Sequence, residues 1–394
     1  MSQSELPFDG LTVLDLSQGI AGPYCAMMLA RNGADVVKLE PPGAGCWSRQ
    51  LGKAIGDQTA HSLVVHRAKR SLALDLKTPK GVEIAQKLAA RADVLVQNYR
   101  VGKIDRFGLD YATVAAGNPT IIYASISGFG TRGERIGQPA TDSVMQAYTG
   151  VMSINRDQHG LPQRINMLAI DFATGLYAFQ AVSAALYRRA TKGVGKLIET
   201  SLLEASLVFQ EAAMIDSALQ QGAAEPIGMP VGTFRTADGF MSLNARRQKQ
   251  FEAFATLVGQ SDWIADERFI DPRTRVANGA ALLALIRPII ETRPTADWCR
   301  LLSEIDVLHA PVQTHQDLFE DPQVAAVDAI RWIDDATLGR VPMASIPGQP
   351  APATGDRLSH SPHVGEHSRA IVGELGYAAG EIDALVADGV IAAP

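Results

Sequence analysis

Short apolar runs alternate with stretches of helical periodicity through the first half of the chain, and this alternation restricts the possible folds more than any other feature. Leu11–Leu16 reads as a buried strand, and Pro23–Asn32 as a helix with proline at its first position and Gly33 as its stop. Asp35–Leu39 is a second strand and Ser71–Leu76 a third. Pro79–Arg91 follows as a helix behind a Thr78 cap, then Asp93–Gln97 and Thr120–Ile126 as further strands. Parallel strands need crossover connections that cover both faces of their sheet. The pattern therefore predicts an α/β fold with a doubly wound, Rossmann-like parallel sheet, which presents ligands at its strand ends.

Further along, Asp171–Arg189 has Phe172, Leu176, Phe179 and Leu186 at helical spacing, which predicts one long, largely buried helix. Leu197–Thr200 and Leu202–Phe209 read as a strand and a helix. Small residues, Gly and Pro then dominate from Gln220 to Gly232, as in a linker. A length of 394 residues suits two domains. The expected layout is a large domain over 1–220, a linker over 221–232, a smaller α+β domain over 233–325 and a return segment over 326–394. That last segment carries a Pro-rich stretch, 346–361, and a closing helix from about Glu366.

Composition narrows the function. The net charge is −6 with no basic stripe, so nucleic acid is not an expected partner. No apolar run reaches membrane-spanning length, and the first ten residues are polar and acidic, unlike a secretory signal. Cys25, Cys46 and Cys299 stand far apart in no metal or redox spacing, which predicts reduced thiols in a cytoplasmic protein, with no metal and no tightly bound cofactor.

Four signals bear on chemistry. Gly128–Gly133 matches the dinucleotide pattern G-x-G-x-x-G after a strand, but Glu134–Pro139 is not helical, so the pyrophosphate-holding helix is missing. His363–His367 matches H-x-x-E-H, yet Pro362 and Gly365 break the helix that a zinc site needs, and solvent-exposed histidines are expected. Arg67, Lys69, Arg70, Arg100 and Arg106 gather near predicted strand ends, where they are either solvated surface or ligands for phosphate. Asp171 opens the long helix, either as its N-cap or as an ionised carboxylate able to attack a thioester.

Taken in order, many stretches resemble the class III CoA-transferases, the family of formyl-CoA and carnitine CoA-transferases. They include Leu14-Asp15-Leu16 with Ala21-Gly22-Pro23, Gly33 through Glu40, Lys69-Arg70-Ser71, Asn98-Tyr99-Arg100, Arg106, Ser127 through Gly130, Asp142 with Gln146-Ala147, Asp171 and Gly365-Glu366-His367. The resemblance implies transfer of coenzyme A from an acyl-CoA donor to a carboxylic acid, with Asp171 as nucleophile and aspartyl anhydride and aspartyl-CoA thioester intermediates. It implies that Leu74, Leu76, Asn98, Tyr99 and Arg106 line the CoA site, and that two chains form an interlocked homodimer.

The same superfamily holds α-methylacyl-CoA racemases, which use a histidine just before the Asp142 position and a glutamate in the small domain. Here those positions hold Thr141 and Gln248, neither a general base near neutral pH. Racemase is the alternative within the fold, with a nicotinamide oxidoreductase and a non-catalytic CoA-binding protein outside it. Arg246 and Arg247 follow a predicted strand beside Gln248. They are either a solvated pair or, with Arg49 and His61, the cations that hold the second carboxylate of an acceptor acid.

Overall fold

In the computed structural model, which describes residues 6–157, 159–220 and 226–394, each expected strand lies within one residue or two of its predicted bounds. The first part of the chain forms β1 (Thr12–Asp15), α1 (Ala21–Arg31), β2 (Asp35–Glu40), α2 (Ala60–His66), β3 (Arg70–Leu74), α3 (Pro79–Arg91) and β4 (Val94–Gln97). Next come α4 (Tyr111–Gly117), β5 (Ile122–Ser127), α5 (Asp142–Tyr148), α6 (Val151–Ile154), α7 (Ala169–Lys192), β6 (Lys196–Ser201), α8 (Leu202–Phe209) and α9 (Glu211–Leu219).

The chain divides into two units, one comprising the residues up to Glu211 with Asp328–Pro394, the other Ala212–Val327. The first unit holds a seven-stranded sheet in the order β12-β3-β2-β1-β4-β5-β6, parallel throughout except for the edge strand β12. Alternation along each strand feeds two cores. Val13, Val36, Val94 and Ile122 point to the layer containing α1 and α7, while Leu14, Val37, Leu95 and Tyr123 point to the layer of α3 and the C-terminal helices.

The second unit contains β7 (Val231–Arg235), β8 (Phe240–Asn244), α10 (Gln248–Leu257), α11 (Pro272–Ala277), α12 (Gly279–Ile290), α13 (Thr295–Glu304), β9 (Leu308–Pro311), α14 (His315–Glu320) and α15 (Pro322–Ala326). Its antiparallel sheet has the order β7-β8-β9, over a core that includes Phe251, Phe254, Phe269 and Trp298. Returning to the first unit, β10 (Ile330–Asp335) and β11 (Gly339–Ala344) form a hairpin, followed by α16 (Ser368–Glu374), α17 (Ala379–Ala387) and β12 (Ile391–Ala392).

Several expectations change. α1 begins at Ala21, so Pro23 sits at its third position, still within the turn where a missing N–H costs nothing. Of the expected linker, 221–225 lies outside the described residues and Val231-Gly232 already belong to β7. The closing helix is two helices, because Gly376 at φ +96° ends the first, and the chain then pairs back onto β3. Along α7 the buried stripe is Ile170, Ala173, Ala178, Val182 and Ala185, while Leu176 is exposed. Small residues line that stripe because α1 packs closely: a Cβ on Gly175 would lie 2.7 Å from the Ala21 carbonyl oxygen.

Candidate active site

The strand order reverses direction between β1 and β4, the place where an open α/β sheet leaves a crevice at its strand ends. A cavity of about 870 Å³ opens there, entirely within the first unit. Gln18 and Ile20 line it from the loop after β1. Asn98 to Lys103 and Arg106 line it from the loop after β4, Gly128–Gly130 and Gly137–Thr141 from the loop after β5, and Leu202 from the start of α8. Gly19 adopts φ +83°, and a Cβ there would meet the Trp47 ring at 1.9 Å, so only glycine lets that ring form part of the wall.

Asp171 reaches the cavity from the first turn of α7. It is not the N-cap; Leu168 occupies that position and contributes no capping side chain. The cap comes from Asp142, at the start of α5, whose Oδ2 accepts the backbone N–H of Ile170 at 2.7 Å and of Asp171 at 3.1 Å. Gln146, one turn on, donates to Asp142 Oδ1 at 2.6 Å and to the carbonyls of Ile165 and Met167, while its Oε1 accepts the Ile165 N–H. Asp171 is half-buried, and burial first, with the Asp142 charge second, pushes its pKa up to about 7. This overturns the expectation that a carboxylate at this helix end simply stays ionised: a second carboxylate has already occupied the positive end of the helix.

The predicted cations separate into two groups. Arg100 and Arg106 stand exposed on the cavity rim with no ion-pair partner among the described residues, and Lys103 joins them. Lys103 was missed, although it lies in the same short turn. Lys69 is elsewhere: its Nζ is fully buried, 2.7 Å from Asp15 Oδ2 and 2.7 Å from the Pro23 carbonyl. Arg70 binds Asp35 through two nitrogens and Glu374 through a third. Arg67 is buried, with Ala344 O at 3.5 Å. None of these three lines the cavity that holds Asp171.

Asn98 lines the cavity, but its amide is occupied, accepting from Gln18 N at 2.8 Å and donating to Gln18 O at 2.7 Å, which pins the loop after β1 to the loop after β4. The half-buried Tyr99 ring meets Phe107 edge-on at 6.0 Å. Leu74 and Leu76 pack in the apolar cluster beneath Tyr99 and do not line the cavity. Thr141 does line it.

Neither Arg49 nor His61 lines this cavity. Arg49 is buried in a two-point pair with Glu40, at 2.9 Å on each nitrogen, and also binds Pro362 O; His61 Nδ1 donates to Leu51 O at 3.2 Å. The histidines of the H-x-x-E-H stretch are partly exposed, as expected, but each has a partner. His363 pairs with Asp57 at 2.6 Å and His367 Nε2 lies 3.7 Å from Glu366, which also pairs with the nearby His360 at 2.9 Å. No His/Cys/Asp/Glu group among the described residues has metal-holding geometry. As expected, the Glu134–Pro139 stretch behind the glycine pattern is not helical.

In the second unit, Arg246 and Arg247 line a separate cavity of about 690 Å³ with Pro226, Gly228 and Arg273. Gln248 has a packing role. Its Oε1 accepts from the fully buried Arg275 at 2.8 Å, and its Nε2 donates to Glu252 at 2.8 Å. Among the described residues Arg275 forms no ion pair with a carboxylate; the carbonyls of Met229, Phe269 and Arg246 and the face of Phe251 satisfy it instead.

The fold is an open α/β sheet whose central crevice holds a half-buried carboxylate and a rim of exposed cations, an arrangement able to take an extended anionic ligand. The model of CoA-transferase family III matches residues 8–368, and the chain belongs to that family as a CoA-transferase. It is 31% identical to succinyl-CoA:glutarate CoA-transferase of Mus musculus, over 98% of this chain and 90% of that one. It is 34% identical to succinyl-CoA:mesaconate CoA-transferase of Haloarcula hispanica, over 94% and 97%. A CAIB/BAIF family protein from Brucella suis superposes with a TM-score of 0.83 at 33% identity, covering 94% of this chain and 99% of that structure.

Proposed function

We propose that this enzyme moves coenzyme A from an acyl-CoA donor to a dicarboxylic acid, with Asp171 as covalent relay. The Asp171 carboxylate attacks the donor thioester carbon; a C–O bond forms, the C–S bond breaks, and CoA leaves as thiolate. The thiolate attacks the Asp171 carbonyl of the resulting anhydride and releases the donor acid. The acceptor carboxylate then reverses both steps on the aspartyl-CoA thioester, so the thioester energy is never lost to water. The observation carrying this reading is a half-buried carboxylate, Asp171, in the wall of the crevice cavity. Arg100, Lys103 and Arg106 at the rim suit the CoA phosphates.

The acceptor class rests on relatives named for glutarate and mesaconate, both diacids. Thr141 and the occupied Gln248 amide leave the racemase alternative without its bases. The interlocked homodimer belongs to the same proposal, supported by the exposed Leu176 and Tyr187 on α7. So does a cytoplasmic setting, supported by three unpaired cysteines. Exchange assays with succinyl-CoA and a panel of mono- and dicarboxylic acids test the reading. Exchange confined to monocarboxylates would remove the acceptor class, and α-proton exchange without CoA transfer would favour the racemase.

A further inference from the structure

Asp142 uses both of its oxygens on the segment that carries Asp171. One accepts the N–H groups of Ile170 and Asp171, and the other accepts from Gln146, whose own amide grips Ile165 and Met167. Asp142 is only 3% exposed, so little water screens it from its neighbour. An amide or hydroxyl side chain can also cap a helix N-terminus, while a carboxylate offers two accepting oxygens and adds a second negative charge beside Asp171. That added charge has a consequence beyond capping.

The consequence follows from the charge balance of the reaction. Forming the enzyme–CoA thioester turns anionic Asp171 into a neutral acyl group, and the negative charge departs on the released acid. Repulsion from Asp142 acts on the free carboxylate and vanishes once Asp171 is acylated. We propose that Asp142 is a positioning residue that also tilts the equilibrium toward the covalent enzyme–CoA adduct, by destabilising the one state in which Asp171 is charged. This rests on Asp171 being the acylated residue.

Other groups near the site do not explain the effect. Packed against α7, α1 brings Tyr24, whose hydroxyl burial keeps protonated, and the buried Cys25 thiol; α8 brings Glu204, held by Ser201 at 2.7 Å; β6 brings Lys196 and Glu199. The rim cations Arg100, Lys103 and Arg106 have the sign that would hold Asp171 ionised. The upward shift of Asp171 comes from burial and from Asp142.

Protonation and acylation both remove the Asp171 charge, so relief of the same repulsion enters both equilibria equally. For Asp142→Asn, the pH midpoint of adduct formation should fall by roughly one unit or more, as expected when a close like charge is removed. Above both midpoints, the adduct constant, measured against free donor acid, should fall by the same factor, about tenfold per unit. The measurement is quantitative mass spectrometry of the enzyme–CoA adduct across pH, with Gln146→Leu as a variant that loosens the clamp but leaves the charge. A lower midpoint together with a matching loss of adduct in Asp142→Asn, and an unmoved midpoint in Gln146→Leu, is the expected result. Loss of activity with an unmoved midpoint would reduce Asp142 to a structural cap and overturn the proposal. If Asp142→Asn does not fold, Asp142→Ser, which can still cap the helix without a charge, takes its place: a lowered midpoint with matching loss of adduct upholds the proposal, and an unmoved midpoint overturns it. Absence of any adduct at Asp171 in wild type would instead sink the covalent relay.

Discussion

Lys69 Nζ lies 2.7 Å from Asp15 Oδ2 with neither side chain exposed, so a cation that stands in sequence like a phosphate ligand is half of a core ion pair. Lys38 shares the same carboxylate, with its Nζ at 3.7 Å from Oδ1. Burial alone would raise the Asp15 pKa, but Lys38 and Lys69 outweigh it and hold it below the ordinary aspartate value.

Removing one member of such a buried group leaves an uncompensated charge, at a typical cost of about 3–5 kcal/mol. Lys69→Met should therefore lower stability by that order, seen as a lower midpoint in urea unfolding, while the KM for acyl-CoA of the folded fraction stays unchanged. Because the folded pKa of Asp15 is depressed, its contribution is present above the unfolded value of 3.8 and is lost as pH falls through the folded value. Acid unfolding of Lys69→Met should begin at higher pH than in wild type.

The exposed rim cations should behave oppositely. A charge-assisted contact to phosphate contributes about 1.5–3 kcal/mol, so Arg106→Ala and Arg100→Ala should each raise the KM for acyl-CoA by about ten- to a hundredfold, with melting temperature unchanged. Arg70→Ala should leave that KM alone, since Asp35 and Glu374 occupy its guanidinium. Equal effects from all three would mean that the phosphates bind elsewhere.

Ionisation of Asp171 sets the pH dependence of its acylation. Only the carboxylate attacks, so single-turnover adduct formation should rise about tenfold per unit below pH 7 and level off above it. The midpoint should follow the Asp171 value of about 7. Stability runs the other way. The folded pKa is raised, so the folded protein keeps a proton that the unfolded chain loses from 3.8 upward, and stability falls as pH climbs from there to about 7. Asp171→Asn lacks this loss, and its melting temperature should exceed that of wild type by more at about pH 8 than at about pH 5.

Arg246 and Arg247 have no ion-pair partner among the described residues and line a cavity of their own unit. If either holds the far carboxylate of the acceptor, Arg246→Ala or Arg247→Ala should cut kcat/KM for succinate or mesaconate by about tenfold or more, against little change for a monocarboxylate of equal length. A dicarboxylate preference that survives both substitutions would show that these arginines do not select the acid.

What the sequence revealed depended on how local each signal is. The α3 helix matches its predicted bounds because Thr78 caps Gly81 N and Pro79 opens the first turn, all within four residues. α8 matches for the same reason, with Ser201 accepting from Glu204 N. The charges misled because their partners are remote: Lys69 meets Asp15 from 54 residues away, and Arg70 meets Glu374 from 304. Gln248 could not be recognised as the acceptor for Arg275, 27 residues on, until the fold brought them together. The ionisation of Asp171 likewise depends on Asp142, whose role as its helix cap spans 29 residues.

The most direct measurement is peptide-level mass spectrometry after mixing the enzyme with acyl-CoA in the absence of acceptor. A CoA thioester should appear on the peptide containing Asp171, disappear on adding a dicarboxylic acid with matching formation of its CoA ester, and be absent from Asp171→Asn and Asp171→Ala, both of which should have lost transfer. Undiminished transfer by either variant, or steady turnover by wild type with no label on Asp171, would contradict the covalent mechanism.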